Sequence, residues 1–234
     1  MARVLLGLTG SVAAIRAPEL VAALINADHD VRVMATASAL RFFDPERLPA
    51  RALHAEAPHT TAPHTDDDEW SFPRSPDGRW SRGDRVLHIE LRQWAELLLL
   101  APLDAHTLGK IAVGLSDNLL TCVFRAWEHP RPIVLAPAMN TLMWESPQTA
   151  RHLRTLLEDH GVEGAALPRA RLPEAYLPHF GEPSCPHLHL VGPISKRLAC
   201  GDTGVGGMAS VEELVEAVGR AAQARPASTL SSND

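Results

Sequence analysis

The sequence predicts an α/β fold, a three-layer open sheet of parallel strands with helices on both faces. Two observations carry this expectation. Short, wholly apolar runs recur along the chain: RVLLGL (Arg3 to Leu8), VRVMAT (Val31 to Thr36), ELLLLAP (Glu96 to Pro102) and PIVLAP (Pro132 to Pro137). A strand that is apolar on both sides is a strand covered on both faces. Between these runs lie segments with helix punctuation, and strands alternating with helices form parallel sheets.

The elements follow in order. After the first strand and TGS, an apolar helical pattern runs to about Ala27, with Pro18 arguing against one continuous helix. Asp104 is placed to cap AHTLGKIAV, which stops at Gly114, and Ser116 to cap DNLLTCVFRAW. Ser146 and Pro147 form an N-cap and first-turn pair for a helix ending at His160 and Gly161. Ser210 with Glu213 makes a capping box before LVEAVGRAA. LHLV is expected as a last strand.

Two stretches break the alternation. Residues from about 45 to 85 are polar, rich in Pro and His, with the echo PHTTAPHT and three consecutive Asp; residues from about 164 to 195 are Pro-rich. Both are expected to be long surface loops of one domain spanning about residues 1–225. The final PASTLSSND, 226–234, is expected to be a disordered tail.

The 234 residues suffice for one large domain, and 45% apolar with 21% charged residues is the composition of a soluble globular protein. A net charge of −6 argues against nucleic-acid or anionic-membrane binding. No apolar run approaches the roughly 20 residues of a membrane helix. MARVLLGLTGS enters a strand at once, unlike a secretory signal, and Cys122, Cys185 and Cys200 are widely spaced. A reducing cytoplasm with free thiols is the expectation.

Candidate functional residues gather at strand ends. In LTGSVAAI, Gly10 permits a tight turn, and Ser11 with the following amides could hold a phosphate; a plain turn is the alternative. The segment lacks both GxGxxG and a P-loop lysine. Thr36 and Ser38 in MATASA follow the second strand, either as caps or at the sheet edge where ligands bind. His88 sits in VLHIELRQW, where a lone His is more often structural. Asp104, His106 and Thr107 follow the third strand and Asn140 the fourth, in PAMNTLMW. KRLACGDTGVGGMAS carries four glycines between Gly201 and Gly207, suited to a mobile flap, and Cys200 beside Lys196 and Arg197, cations that favour thiolate. Cys185, His187 and His189 in SCPHLHL fit a strand better than a metal site, and no metal is expected there or at His54, His59 and His64.

Together TGSVAA, VLHIELRQWAELLLLAPLDAHTLGKIA, GLSDNLLTCVFRAW, APAMNTLMW and LACGDTGVGGMA resemble, in order, the homo-oligomeric flavin-containing cysteine decarboxylases, and among them the phosphopantothenoylcysteine decarboxylase branch. The resemblance covers most of the chain outside the two long loops and the tail. It implies a Rossmann-like or flavodoxin-like fold, FMN as cofactor, and a homotrimer with sites near subunit interfaces. The implied reaction turns 4′-phosphopantothenoylcysteine into 4′-phosphopantetheine for coenzyme A: oxidation to a thioaldehyde, loss of CO2, and re-reduction of the enethiolate. It implies His88 as the acid–base histidine and Cys200 as proton donor for the reduction. Asn140 would contact the substrate carboxylate, with Met139, Lys196 and Arg197 also on the substrate. Gly10, Ser11, Val12, Thr36, Ser38, Asp104, Ala105, His106 and Thr107 would contact FMN, and Trp144 the pocket and a subunit contact. The family usually has Asn where this chain has His106. Two rivals share the fold: peptidyl-cysteine decarboxylases, which stop at the enethiol and need no reducing cysteine, and non-catalytic relatives that regulate a phosphatase. The presence of His88, Asn140 and Cys200 together favours the first reading.

Overall fold

The computed structural model describes residues 1–49, 63–70, 79–197 and 203–224, with the side chains of Lys196, Arg197 and Thr203 outside that description. Cys200, the expected tail, and most of the first expected loop, His54 and His59 included, lie outside the described residues.

The main sheet consists of β1 (Arg3–Leu8), β2 (Asp30–Ala35), β3 (Leu97–Leu103), β4 (Ile133–Pro137) and β5 (Leu188–Leu190). All neighbours pair in parallel, in the order β2-β1-β3-β4-β5. This is the doubly wound, flavodoxin-like arrangement, whose strand order reverses between β1 and β3. The expected three-layer fold and all five strands are present.

Alternation along each strand divides the core. Val4, Leu6, Leu8, Leu97 and Leu99 join the cluster under α1 (Ala17–Asn26) and α8 (Val211–Gln223). Leu5, Leu98 and Leu100 join the opposite cluster, under α3 (Leu87–Trp94), α4 (Ala105–Val113), α5 (Leu119–Arg125) and α7 (Pro147–Asp159). The four consecutive leucines therefore serve both faces. Each is fully buried, an arrangement that stabilises the fold by roughly 1.5–3 kcal/mol per side chain.

The caps at Asp104, Ser146 and Ser210 form as expected, and α4 ends on Gly114 at φ +75°. A short 3-10 turn, Val12–Arg16, precedes α1 and lets Pro18 fall in its first turn, where a missing N–H costs nothing. One cap differs. Asn118, not Ser116, caps α5: its Oδ1 accepts from Thr121 N at 2.9 Å and Thr121 answers in a capping box.

Some residues of the two long stretches pack against the domain, while others, such as Arg79 to Gly83, are exposed. Pro63, His64 and Glu69 are buried. His64 lies parallel beside Met34, its N donating to Val33 O and its O accepting from Ala35 N, both at 2.9 Å. The open backbone groups of edge strand β2 find partners there. The Asp run forms a single helical turn, α2 (Asp66–Glu69), and the Asp66 carboxylate accepts from Leu119 N at the start of α5 (2.7 Å). In the second stretch, buried Tyr176 donates its hydroxyl to Pro168 O at 2.9 Å, and Glu174 accepts from Trp144 Nε1 at 2.7 Å.

The glycine-rich segment contributes a strand. Thr203–Gly207 is a strand, β7, antiparallel to β6 (Ile194–Arg197). Its glycines permit close approach to the residues after β4.

Candidate active site

The carboxyl ends of the strands are sewn together by backbone bonds. Thr36 N donates to Leu8 O (3.0 Å), Thr9 N to Pro102 O (3.3 Å), Ala138 N to Leu103 O (2.9 Å) and Met139 N to Gly206 O (2.9 Å). Thr9 adds a buried hydroxyl that donates to Pro102 O (2.8 Å) and accepts from Asp104 N (2.7 Å). It locks the loop after β1 to the loop after β3, at the switch point where doubly wound sheets bind ligands.

A cavity of about 570 Å³ opens at this edge. Its walls include Gly10, Ser11 and Val12 after β1, Asp104, Ala105 and His106 after β3, Met139 and Asn140 after β4, and Gly206 to Met208 from the hairpin. Eight residues expected at the site from sequence thus meet in one place. The volume is that of a cofactor-sized site. The cavity combines apolar surface from Ala13, Phe42, Met143 and Met208 with the polar groups of Ser11, Asp104, His106 and Asn140.

Three expected contacts stand behind the wall. Thr36 Oγ1 bonds Ser38 Oγ at 3.0 Å, and a Cβ on Gly10 would come within 2.5 Å of Ser38 Oγ and 3.1 Å of Asp104 Oδ2. Glycine at position 10 is what allows the three loops to close on one another. Thr107 is buried, and its N–H donates to Asp104 Oδ1 at 2.6 Å. Asn140 is both a turn device and a wall residue: its Oδ1 accepts from Leu142 N at 2.8 Å, capping α6 (Thr141–Trp144). Trp144 is fully buried and is not among the residues lining the cavity.

Sequence reading missed Arg16, whose guanidinium lines the cavity and pairs with Glu19 at 2.7 Å. The hydrogen bond and the charge of Glu19 raise the Arg16 pKa further.

His88 is not in this wall. It starts α3, where its N–H donates to Glu69 Oε2 (2.9 Å) and its Nδ1 lies 2.5 Å from Glu69 Oε1. Glu69 is buried and accounts for both contacts. Nothing in an acidic, loop-like stretch singled it out, because the pairing spans 19 residues.

The hairpin wall yields a prediction. Gly206 has φ +146°, and a Cβ there would sit 2.2 Å from Met139 O. Gly206→Ala should cost about 2–3 kcal/mol in denaturant unfolding and reduce flavin retention. Gly219→Ala, where a Cβ meets nothing within 4 Å, serves as control; equal stability of the two variants would show that the close approach is not required.

The flavoprotein family model matches residues 1–223. The chain belongs to the flavoprotein family. A phosphopantothenoylcysteine decarboxylase from Oryza sativa subsp. japonica is 42% identical over 231 residues, covering 98% of this chain and 85% of that protein. Among solved structures, a cysteine-to-serine mutant of PPC decarboxylase complexed with pantothenoylaminoethenethiol is 41% identical, with TM-score 0.70 over 93% of this chain and 96% of that one. The FMN binding protein AtHal3 is 40% identical, with TM-score 0.71 over 97% and 99%.

Proposed function

We infer that this flavoprotein is an FMN-dependent phosphopantothenoylcysteine decarboxylase, releasing CO2 from 4′-phosphopantothenoylcysteine to give 4′-phosphopantetheine for coenzyme A synthesis. The observation that carries this reading is the single cavity at the β1/β3 switch point, walled by the TGSV, LDAH and PAMN segments together. Relatives of about 40% identity with that name over nearly the whole chain support it.

The residues fit FMN. Gly10, Ser11 and Val12 with Asp104, Ala105 and His106 would hold it, while Thr36, Ser38 and Thr107 brace those loops from behind. FMN supplies a reversible hydride acceptor, which makes the substrate's cysteine carbon an electron sink for departing CO2. Asn140 and Met139 bind the substrate's cysteine end, and the cap bond at Asn140 Oδ1 fixes that amide's orientation. Lys196 and Arg197 add positive charge for an anionic substrate. His88 holds and moves a proton; Glu69, accepting at Nδ1, leaves Nε2 as the working nitrogen. Cys200 delivers the final proton.

Because His88 stands outside the cavity of its own protomer, the complete site is assembled in a homotrimer in which a neighbour presents His88. Apolar Val12, Ile15, Leu142 and Met143 are exposed around or beside the cavity, an apolar rim of the kind that subunits cover. Sedimentation should give three times the 25.4 kDa chain mass; a monomer with full activity would remove this arrangement.

The deciding experiment is mass spectrometry of the flavin-loaded protein incubated with 4′-phosphopantothenoylcysteine. Loss of CO2 to saturated 4′-phosphopantetheine is the expected result. No turnover by FMN-containing protein would overturn the assignment.

A further inference from the structure

We propose that His129, His160 and His187 form a binding site for one divalent transition-metal ion, with Zn²⁺ the ion whose ligand chemistry they match. One ring nitrogen from each histidine lies within 4.8 Å of the other two. His187 Nε2 is 3.0 Å from His160 Nδ1 and 3.3 Å from His129 Nδ1. A zinc ion about 2.0–2.1 Å from each nitrogen sets tetrahedral nitrogen–nitrogen edges of about 3.3 Å. Two edges are already formed, and His129 is the exposed ring able to adjust the third.

The metal-free contacts are poorly matched as hydrogen bonds. A neutral imidazole nitrogen carries either one proton or one lone pair. His187 Nε2 therefore cannot make a full bond to both facing nitrogens at once. A cation resolves the conflict, because all three lone pairs then point at the same centre.

The surroundings suit a cation. His160 is the C-cap of α7, and the carbonyl end of a helix carries partial negative charge. A further cavity of about 270 Å³ reaches His129 and His160, leaving room for a water as fourth ligand. Three imidazoles disfavour Mg²⁺ and Ca²⁺, which take oxygen ligands.

The cluster is remote from the flavin site. His129 precedes β4 and His187 precedes β5, at the amino edge of the sheet, with Ile133 N donating to His187 O at 2.7 Å. β5 has three residues and pairs with β4 alone in this sheet. An ion here would clamp the end of α7 and the entry to β4 onto the entry of that short edge strand, making it a structural site independent of turnover.

The test is titration of tag-free, flavin-loaded protein with Zn²⁺ by calorimetry and with Co²⁺ by visible absorption. One Zn²⁺ per chain, tetrahedral Co²⁺ bands, and a raised melting temperature with Zn²⁺ are expected. His129→Asn and His187→Asn should each weaken Zn²⁺ binding by about 100-fold or more and abolish the thermal shift, with flavin content unchanged. His129 is exposed, so its variant should fold. Absence of saturable Zn²⁺ binding by the unaltered protein would overturn the site, as would binding by both variants as tight as that of the unaltered protein.

Discussion

His88→Asn is expected to lower decarboxylation by about a thousandfold, within the range by which a positioned acid–base group contributes to catalysis, while FMN stays bound. The separation follows from position. His88 is not among the residues that line the cavity of this chain, so its loss leaves Gly10 to Val12 and Asp104 to His106 as they are. The buried Glu69 carboxylate receives two donors from this one residue, the backbone N–H at 2.9 Å and Nδ1 at 2.5 Å. An amide has a single acceptor oxygen for those two donors. Glu69→Gln should therefore give an intermediate loss, about 10–100-fold in kcat, with KM and flavin content little changed. Nitrogen NMR of the imidazole should report Nδ1 protonated in the parent protein and a mixed tautomer in Glu69→Gln. Normal turnover by His88→Asn would remove the histidine from the chemistry, and an unchanged Glu69→Gln would reduce Glu69 to a packing partner.

The contrast between His88 and Glu69 shows what was legible in the sequence. Features set by neighbours in the chain could be read directly: the caps at Asp104, Ser146 and Ser210, the apolar strands, and the glycine stop at Gly114. The cavity residues were legible because the topology sends each strand's carboxyl end to the same edge, so polar residues just after apolar runs converge there. Long-range pairings left no such pattern. Glu69 reaches His88 across an acidic stretch, Asp66 reaches the start of α5 across 53 residues, and His64 extends the edge of β2 from within a polar echo. The glycines of β7 were ambiguous because flexibility and close approach ask for the same residue. Only the position of Met139 O, 2.2 Å from a Cβ on Gly206, separates the two. His129, His160 and His187 come from three separate elements, and the local SCPHLHL pattern pointed instead to the strand that His187 precedes.

Cys200→Ser should separate the two halves of the reaction. Oxidation and loss of CO2 require a hydride acceptor, a bound carboxylate and a base, none of which is the thiol. Completion requires a proton on the carbon skeleton as hydride returns. A thiol with an ordinary pKa of about 8.5 can give that proton. A serine hydroxyl is far less acidic and cannot. The variant should therefore release CO2 but accumulate the enethiol, which lacks two hydrogens relative to 4′-phosphopantetheine, with the flavin bleached after one turnover. The same measurement discriminates the peptide-modifying rival, whose chemistry ends at the enethiol and is indifferent to the thiol. Parent protein yielding saturated product and variant yielding enethiol would fix Cys200 as the donor. Saturated product from Cys200→Ser at the parent rate would transfer that proton to another group.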